Sequence, residues 1–373
     1  MSSPPTQARI EPRNLAGNLA TIRSRLALSV RVIAVVKADC YGHSDTICAP
    51  ELLRCGIDTF AVASLEEGAR LRALGIDARI VVIRPPLPAQ SPLYARHDLE
   101  AMISTAESAL LLDSAAAEAG RTLRVHLYVD TGMVRNGVDP AEAIGMLRTI
   151  DALPRLKLQG IASHFATSDE IGSGFAAEQI GVFRSVLERA SGEGFHPEDI
   201  HMANSGGIFN HPESHFTAVR PGISLYGYHP TESLQHSSGL EPVMSLRTEI
   251  ASVREIPEGI SVSYGRTYYT ARATTVATLP IGYADGLPRA LSNRYSVLID
   301  GRRYRGIGTI CMDEVMIDLE GDRFEIGQEV ILIGSSGRER IDAWEIAEMA
   351  GTIPYEICTG IGTRVPRSAT ATH

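Results

Sequence analysis

The stretch 31-RVIAVVKADCYGH-43 decides how the chain is read. Five apolar residues, Val32 to Val36, lead into Lys37, and Asp39, Cys40, Tyr41, Gly42 and His43 follow within six positions. A run this apolar is a strand buried on both faces, as in parallel sheets covered by helices. An ammonium group at the end of such a strand is expensive to desolvate, so the lysine needs a reason.

Outward from this stretch the same pattern recurs. Short β-branched runs stand at 59-TFAVAS, 80-IVVIR, 100-EAMIS, 124-RVHLYVDTG, 158-LQGIASHF, 199-DIHMANSG and 218-AVRPGISLYG. Helical patterns separate them. In 64-SLEEGARLRALG, Ser64 is a capping residue and Glu66 and Glu67 lie in the first turn. The pattern 176-AAEQIGVFRSVLERASGEG ends on glycine, as helices commonly do. Eight strands alternating with helices over roughly 200 residues predict an α/β fold, a (β/α)8 TIM-type barrel. An open doubly wound sheet is the rival, but eight successive units favour closure and no GxGxxG follows the first strand.

The polar segment 229-HPTESLQHSSGLEP reads as a linker. Beyond it come 245-SLRTEIASVREI, 274-TTVATLPIGYADG, 295-YSVLIDGRRYRGIGTICMDEVMID and 329-EVILIG, with DG turn signals at 285 and 300. One helical patch, 342-DAWEIAEMAG, interrupts them. This region is expected to be a mostly β domain. The division is therefore a barrel over 1–235 and a second domain over 236–373.

Composition narrows the function. The chain has 373 residues, 44% apolar and 21% charged, with a formal charge of -9. That balance argues against nucleic acid or an anionic membrane as partner, since both need a basic face. No run approaches the ~18 apolar residues of a membrane span, and the N-terminal MSSPPTQAR has no signal-peptide core. Five cysteines without a CxxC pair indicate a reducing compartment, with the cytoplasm as the default.

In a barrel of this type, function collects at the C-terminal ends of the strands. There the sequence places Lys37 and Tyr41, Asp130 to Arg135, His164, His201 with Asn204 and Ser205, and Arg220 with Gly222. Each alone is an ordinary rim or turn residue. Together they describe one chemistry. A lysine in a dry setting loses ammonium stability, and its amine can attack an aldehyde to form a Schiff base. Amides and hydroxyls at Ser205, Gly206, Gly222 and Ile223 suit a phosphate, and arginines suit ring heteroatoms or a carboxylate. Lysine, phosphate cradle and arginines spell pyridoxal 5'-phosphate. No H-x-H or H-E-x-x-H occurs, so no metal site is expected.

The residues resemble the alanine racemase family, fold-type III pyridoxal-phosphate enzymes. The matching text is 34-AVVKADCYGH, 130-DTGMVRNGV, 164-HFATSDE, 204-NSGG, 219-VRPGISLYG, 263-SYGRTY, 282-GYADGLPRALSN, 311-CMDEVMID and 353-IPYEICTGIGTRVPR. The resemblance implies a homodimer with shared active sites, acting on a small amino acid and making a D-amino acid of the kind used as a cell-wall precursor. It implies that Lys37 carries the cofactor and is one catalytic base. Tyr264, from the partner subunit, is the opposite base. Tyr41, Ser205, Gly222, Ile223 and Tyr355 would surround the cofactor phosphate. Arg220 would face the pyridine nitrogen with His164 supporting it. Arg135 would lie near the ring's phenolic oxygen and the substrate carboxylate, and Met312 and Asp313 would complete the carboxylate site from the partner.

The chain also departs from the family. Tyr128 stands where the family has a lysine that is often carbamylated; a tyrosine cannot be carbamylated, though its hydroxyl can hydrogen-bond Arg135. Asp39–Cys40 replaces Asn–Ala. NSGG replaces NSA. Two other enzyme readings share the architecture: a racemase of serine or a broader set of amino acids, and a fold-type III decarboxylase of basic amino acids. A single-barrel pyridoxal-phosphate binder is a non-enzyme reading, but such chains stop after the barrel.

Overall fold

The computed structural model describes residues 4–172 and 174–370. Among them, eight parallel strands close a barrel in chain order. They are Arg31–Val35, Thr59–Val62, Arg79–Val82, Glu100–Ile103, Leu123–Tyr128, Leu156–Ala162, Asp199–His201 and Ala218–Val219. Closure is direct: Arg31 pairs with Ala218 and Val32 with Val219. The strands are this apolar because they are covered on both sides. Every residue of Thr59–Val62 and of Glu100–Ile103 is buried. The expected TIM-type barrel is the observed one.

The covering helices form where the sequence signals them. Leu65–Ala73 begins with a capping box, in which Ser64 Oγ accepts the Glu67 amide and the Glu67 carboxylate accepts the Ser64 amide. Gly174–Gly192 buries Ala176, Ile180, Phe183, Val186 and Ala190, one stripe at helical spacing.

The segment after the barrel differs from the expected linker. His229, Gln235 and Ser238 are buried. The Gln235 side chain accepts the His229 amide at 2.6 Å and donates to Gly227 O at 2.9 Å. These glutamine bonds fold the segment back on itself, which its polar composition does not reveal.

By contacts the chain forms two units, one holding 4–14, 41–47 and 242–370, the other 15–40 and 48–241. The first is built on a β-sheet whose path runs from Ser252–Ile256 through Thr274–Leu279, Val315–Asp318, Arg302–Ile307, Ser296–Ile299, Glu329–Ser336 and Met244–Glu249 to Gln7–Ile10 and Arg367–Ala369. Residues 7–10 thus pair antiparallel with Met244–Glu249 and parallel with Arg367–Ala369. The run 245–256 reads as one strand but splits in two, and the halves occupy distant places in the sheet. At the hairpin after Ile299, Asp300 and Gly301 have φ of 46° and 79°, the left-handed pair that a tight two-residue turn requires. The helix Ala343–Ala350 is capped by Asp342 and closed by Gly351.

Candidate active site

The opening stretch folds differently from a long strand. The first barrel strand stops at Val35, and Lys37–Gly42 forms one helical turn. That turn is left-handed: φ is 52° at Ala38, 53° at Asp39, 55° at Cys40 and Tyr41, and 81° at Gly42. Left-handed backbone costs non-glycine residues roughly 1–2 kcal/mol each. Such strain persists only where the surroundings over-determine it, and it concentrates at functional sites. Asp39 is consequently part of this turn and not of the strand. It turns outward to an ion pair with Arg70 at 3.6 Å, between two partly exposed side chains.

Glu67 fixes the start of the turn. Its Oε1 accepts the Ala38 amide at 2.8 Å and its Oε2 accepts the Ala63 amide at 2.7 Å. One carboxylate therefore ties the ends of the first two barrel strands to a helix N-terminus. Sequence reading saw Glu67 only as a first-turn acid; its reach to Ala38 depends on strand adjacency. Glu67 also opposes the lowering of the Lys37 pKa. Glu67→Gln removes the charge and one acceptor lobe, so a loss of about 1–3 kcal/mol in denaturant unfolding is expected. The Lys37 titration should also move to lower pH, which amine labelling across a pH series would read.

Lys37 lines a cavity of ≈ 260 Å³ with Ala63, Ile83, Arg84, Arg135 and Asn136. Burial and the Arg135 charge push its ammonium below the usual lysine range, against Glu67, with Arg84 and Arg220 adding to the effect. An amine in this setting spends more of its time as the free base. Among the described residues no carboxylate lines the cavity, so an anionic ligand meets an electrostatically favourable wall. Arg84 and Asn136 were not singled out from sequence. Both follow familiar elements directly, and only the fold shows that they face Lys37's cavity.

Tyr128 does not take up the expected bond to Arg135; among the described residues no hydrogen bond joins them. Its ring is buried with Val81, Met102 and Ala162, and Ile83 packs against the group. The aromatic side chain fills the barrel interior.

A second cluster surrounds Arg220, which is buried. Nη1 donates to His201 Nδ1 at 2.5 Å and to His201 O at 2.8 Å. Nη2 donates to Ser163 O, His164 Nδ1 and Met202 O. The two terminal nitrogens are thus committed, and Nε–H is left as the donor for a ligand. Burial pulls the Arg220 pKa down to about 10, which still leaves a cation at neutral pH. Burial and the Arg220 charge hold His164 well below the usual imidazole range, so it accepts from Arg220 as a neutral ring.

Ser205 and the 220s loop interlock. Ser205 Oγ accepts the amides of Gly222 at 3.0 Å and Ser224 at 3.2 Å. Asn204 caps the short helix Ser205–Asn210 through the Gly207 amide. The NSGG departure has a steric reason. A Cβ at Gly206 would stand 2.4 Å from Ser168 Oγ, and one at Gly207 would stand 2.9 Å from the Phe165 ring.

The remaining expected residues lie in the β unit. Tyr41 and Tyr355 have ring centroids 6.0 Å apart. Tyr264 sits at the tip of a hairpin in which Ser261 pairs with Tyr269 and Val262 with Tyr268. Its neighbours Ser263 and Gly265 both have left-handed φ, so the loop projects the tyrosine, which is 71% exposed. Ser263 Oγ donates to Thr309 O at 2.5 Å, and Thr309 Oγ1 donates to Tyr264 O at 2.8 Å. The loop carrying Met312 is thereby tied to the loop carrying Tyr264. Met312 is 51% exposed, its carbonyl accepts the Ala284 amide at 3.0 Å, and Asp313 pairs with Arg364 at 2.8 Å. Gly42, the last residue of the left-handed turn, has no room for a side chain: a Cβ would stand 2.3 Å from Cys358 O. Gly42→Ala should cost on the order of 1–3 kcal/mol, measurable as a shift in the denaturation midpoint.

Among the described residues no group of three or more His, Cys, Asp and Glu is placed to hold a metal ion, and no helix is long and apolar enough to cross a membrane. Comparison with known proteins adds the family. The model of the alanine racemase N-terminal domain matches residues 10–230, and that of the C-terminal domain matches 243–369. The alanine racemase of Halothermothrix orenii is 41% identical over 97% of this chain and 96% of its own. The crystal structure of alanine racemase from a D-cycloserine-producing Streptomyces lavendulae superposes with a TM-score of 0.94 at 36% identity, covering 100% of this chain and 99% of that one. The alanine racemase of Bartonella henselae, solved with covalently bound pyridoxal phosphate, gives a TM-score of 0.89 at 28% identity, covering 99% and 100%. This chain belongs to the alanine racemase family.

Proposed function

We propose that this protein interconverts L- and D-alanine with pyridoxal 5'-phosphate as cofactor and Lys37 and Tyr264 as its two bases. The observation that carries the reading is the amine of Lys37, its pKa lowered, in a cavity lined by Arg84 and Arg135 and, among the described residues, by no carboxylate.

The residues present suit that cofactor. Arg220 keeps Nε–H for a ring acceptor once its terminal nitrogens are committed. At the starts of the short helices Ser205–Asn210 and Ile223–Tyr226, Asn204 and Ser205 take the amides of Gly207, Gly222 and Ser224, which leaves those of Ser205, Gly206 and Ile223 as a suitable cradle for phosphate oxygens. Lys37 would hold the carbonyl carbon, with Ser205, Gly222, Ile223, Tyr41 and Tyr355 about the phosphate and His164 behind Arg220. Pyridoxal phosphate held there would supply the electron sink that makes the substrate's Cα proton acidic.

The protein's own groups then decide the outcome. Inverting Cα requires one acid/base on each face, so that a proton leaves one side and another enters from the opposite side. Lys37 serves one face. Its lowered pKa makes the free amine more accessible to it as a base. Tyr264 serves the other, delivered by the partner of a homodimer on the hairpin that projects it. Arg135 holds the substrate carboxylate together with the main chain at Met312. The cytoplasm suits a D-alanine supply for cell-wall precursors.

The polar wall formed by Arg84 and Asn136 favours one second reading, a broader range of small amino acids including serine. Chiral analysis of products from each of the twenty amino acids, with pyridoxal phosphate supplied, tests both. D-alanine as the fastest-formed product is expected. No D-enantiomer from any of them would overturn the reading, and carbon dioxide release from lysine or ornithine would replace it with decarboxylation.

A further inference from the structure

The barrel interior holds a line of buried polar side chains that the proposed reaction does not use. Glu100 opens the fourth barrel strand and is 2% exposed, and His126 and His201 are each 0% exposed. Groups buried this deeply are costly unless paired. Glu100 receives Arg79 Nε at 2.6 Å, Arg79 Nη2 at 2.7 Å, Arg124 Nε at 2.7 Å and His126 Nε2 at 2.9 Å. His126 Nδ1 lies 3.0 Å from His201 Nε2, and His201 Nδ1 lies 2.5 Å from Arg220 Nη1.

The ends of this line fix the position of every proton along it. A guanidinium only donates and an ionised carboxylate only accepts. His201 Nδ1 must therefore be the acceptor for Arg220, which leaves the His201 proton on Nε2. That proton points at His126 Nδ1, which must be bare, so the His126 proton sits on Nε2 and points at Glu100. Both rings are neutral and aligned, each with its lone pair toward Arg220 and its N–H toward Glu100. The electrostatics agree: burial and the Arg220 charge hold His201 well below the usual imidazole range. For Glu100, burial alone would raise the pKa, but hydrogen bonds from Arg79 and His126 outweigh it and keep the carboxyl ionised.

The backbone is fitted to the same line. Gly160 lies opposite His126 in the neighbouring strand, and a Cβ there would stand 2.3 Å from His126 Nδ1, the atom that accepts from His201. Any side chain at Gly160 would displace the ring. Among the described residues no carboxylate touches Arg220; the carboxylate at the far end of the line is Glu100, itself paired with Arg79 and Arg124.

We propose that Glu100, His126 and His201 form a one-way hydrogen-bond relay that orients Arg220 and keeps its Nε–H facing the ligand, with Glu100 as a positioning residue for the site. The catalytic part of this inference rests on the racemase reading; the proton arrangement does not. The two aligned rings present their lone pairs toward the Arg220 cation without a direct ion pair that would compete with a ligand.

The decisive measurement is made on the unaltered protein. In protein labelled with 15N-histidine and loaded with pyridoxal phosphate, the ring nitrogens of His126 and His201 are assigned with the help of His126→Gln and His201→Gln. Both should be neutral Nε2–H tautomers at neutral pH. A Nδ1–H tautomer or a doubly protonated ring at either position overturns the relay. Glu100→Gln supplies the functional arm. It should lower kcat by about tenfold, roughly 1.4 kcal/mol of barrier, with KM for alanine within about twofold, because Arg135 and its cavity are untouched. A folded Glu100→Gln protein with unchanged kcat also overturns the positioning role. If that variant does not fold, the tautomers of the unaltered protein decide alone. Protein that shows the expected tautomers but racemises nothing would refute the racemase reading and leave the proton arrangement standing.

Discussion

Lys37→Ala should abolish racemisation of alanine, with a fall of at least ~10³-fold in both directions. One acid/base group alone contributes typically 10²–10⁴-fold, and Lys37 is also the residue assigned to hold the cofactor. Both directions must fall together in kcat/KM, because an enzyme cannot alter the equilibrium between enantiomers. Chiral chromatography of L- and D-alanine incubations reads the loss, and the purified variant should no longer retain the yellow cofactor through reductive trapping. A stability signature accompanies this. The pKa of Lys37 is lowered by burial and by Arg135, with Glu67 opposing. Between that lowered value and the unfolded value near 10.4, the unfolded chain binds the proton and the folded chain does not. Stability therefore rises with pH across that window, and the cost of the lysine is largest below it. Relative to Lys37→Met, the wild-type chain should gain stability as pH is raised toward 10.4, as followed by denaturant unfolding.

Tyr264→Phe should also lower racemisation by ~10²–10⁴-fold, but with a different residue of chemistry. With Lys37 intact, one face of Cα keeps its base. One enantiomer should therefore still exchange its Cα proton with deuterated water while almost none is inverted. The two variants should also complement each other. If Tyr264 serves the partner's cavity, a hybrid of Lys37→Ala and Tyr264→Phe subunits contains one site with both native bases. Remixing the two inactive proteins should restore up to about a quarter of wild-type activity, given random two-fold pairing. Sites built within one chain would give no recovery. The loop geometry supports the shared arrangement: left-handed Ser263 and Gly265 project a largely exposed Tyr264, and Thr309 couples its loop to that of Met312.

The barrel was legible in the sequence because most of its strands are short, largely apolar runs separated from one another by helical patterns. Ser64 and Glu67 marked a helix start that the structure shows as a complete capping box. What escaped was non-local or conformational. The pairing of residues 7–10 with 244–249 spans most of the chain, and no local pattern encodes it. The left-handed turn after Lys37 is hidden because Ala38, Asp39, Cys40 and Tyr41 carry no left-handed preference strong enough to announce it; Gly42 alone hints at it. Individual chemistry was easier to see than its support. Lys37, Arg135 and Arg220 stood out by type, whereas Glu67, Glu100 and His126 act through partners 29, 21 and 75 residues away or more distant in space than any motif window reaches.

The most direct measurement is racemisation of L-alanine in deuterated water, sampled before much product has formed. A base on each face removes the Cα proton from one side and supplies a solvent-derived one from the other. The D-alanine formed first should carry deuterium at Cα, while the recovered L-alanine remains largely protonated. D-alanine that retains the original Cα proton would show a single group working both faces and would contradict the pairing of Lys37 with Tyr264.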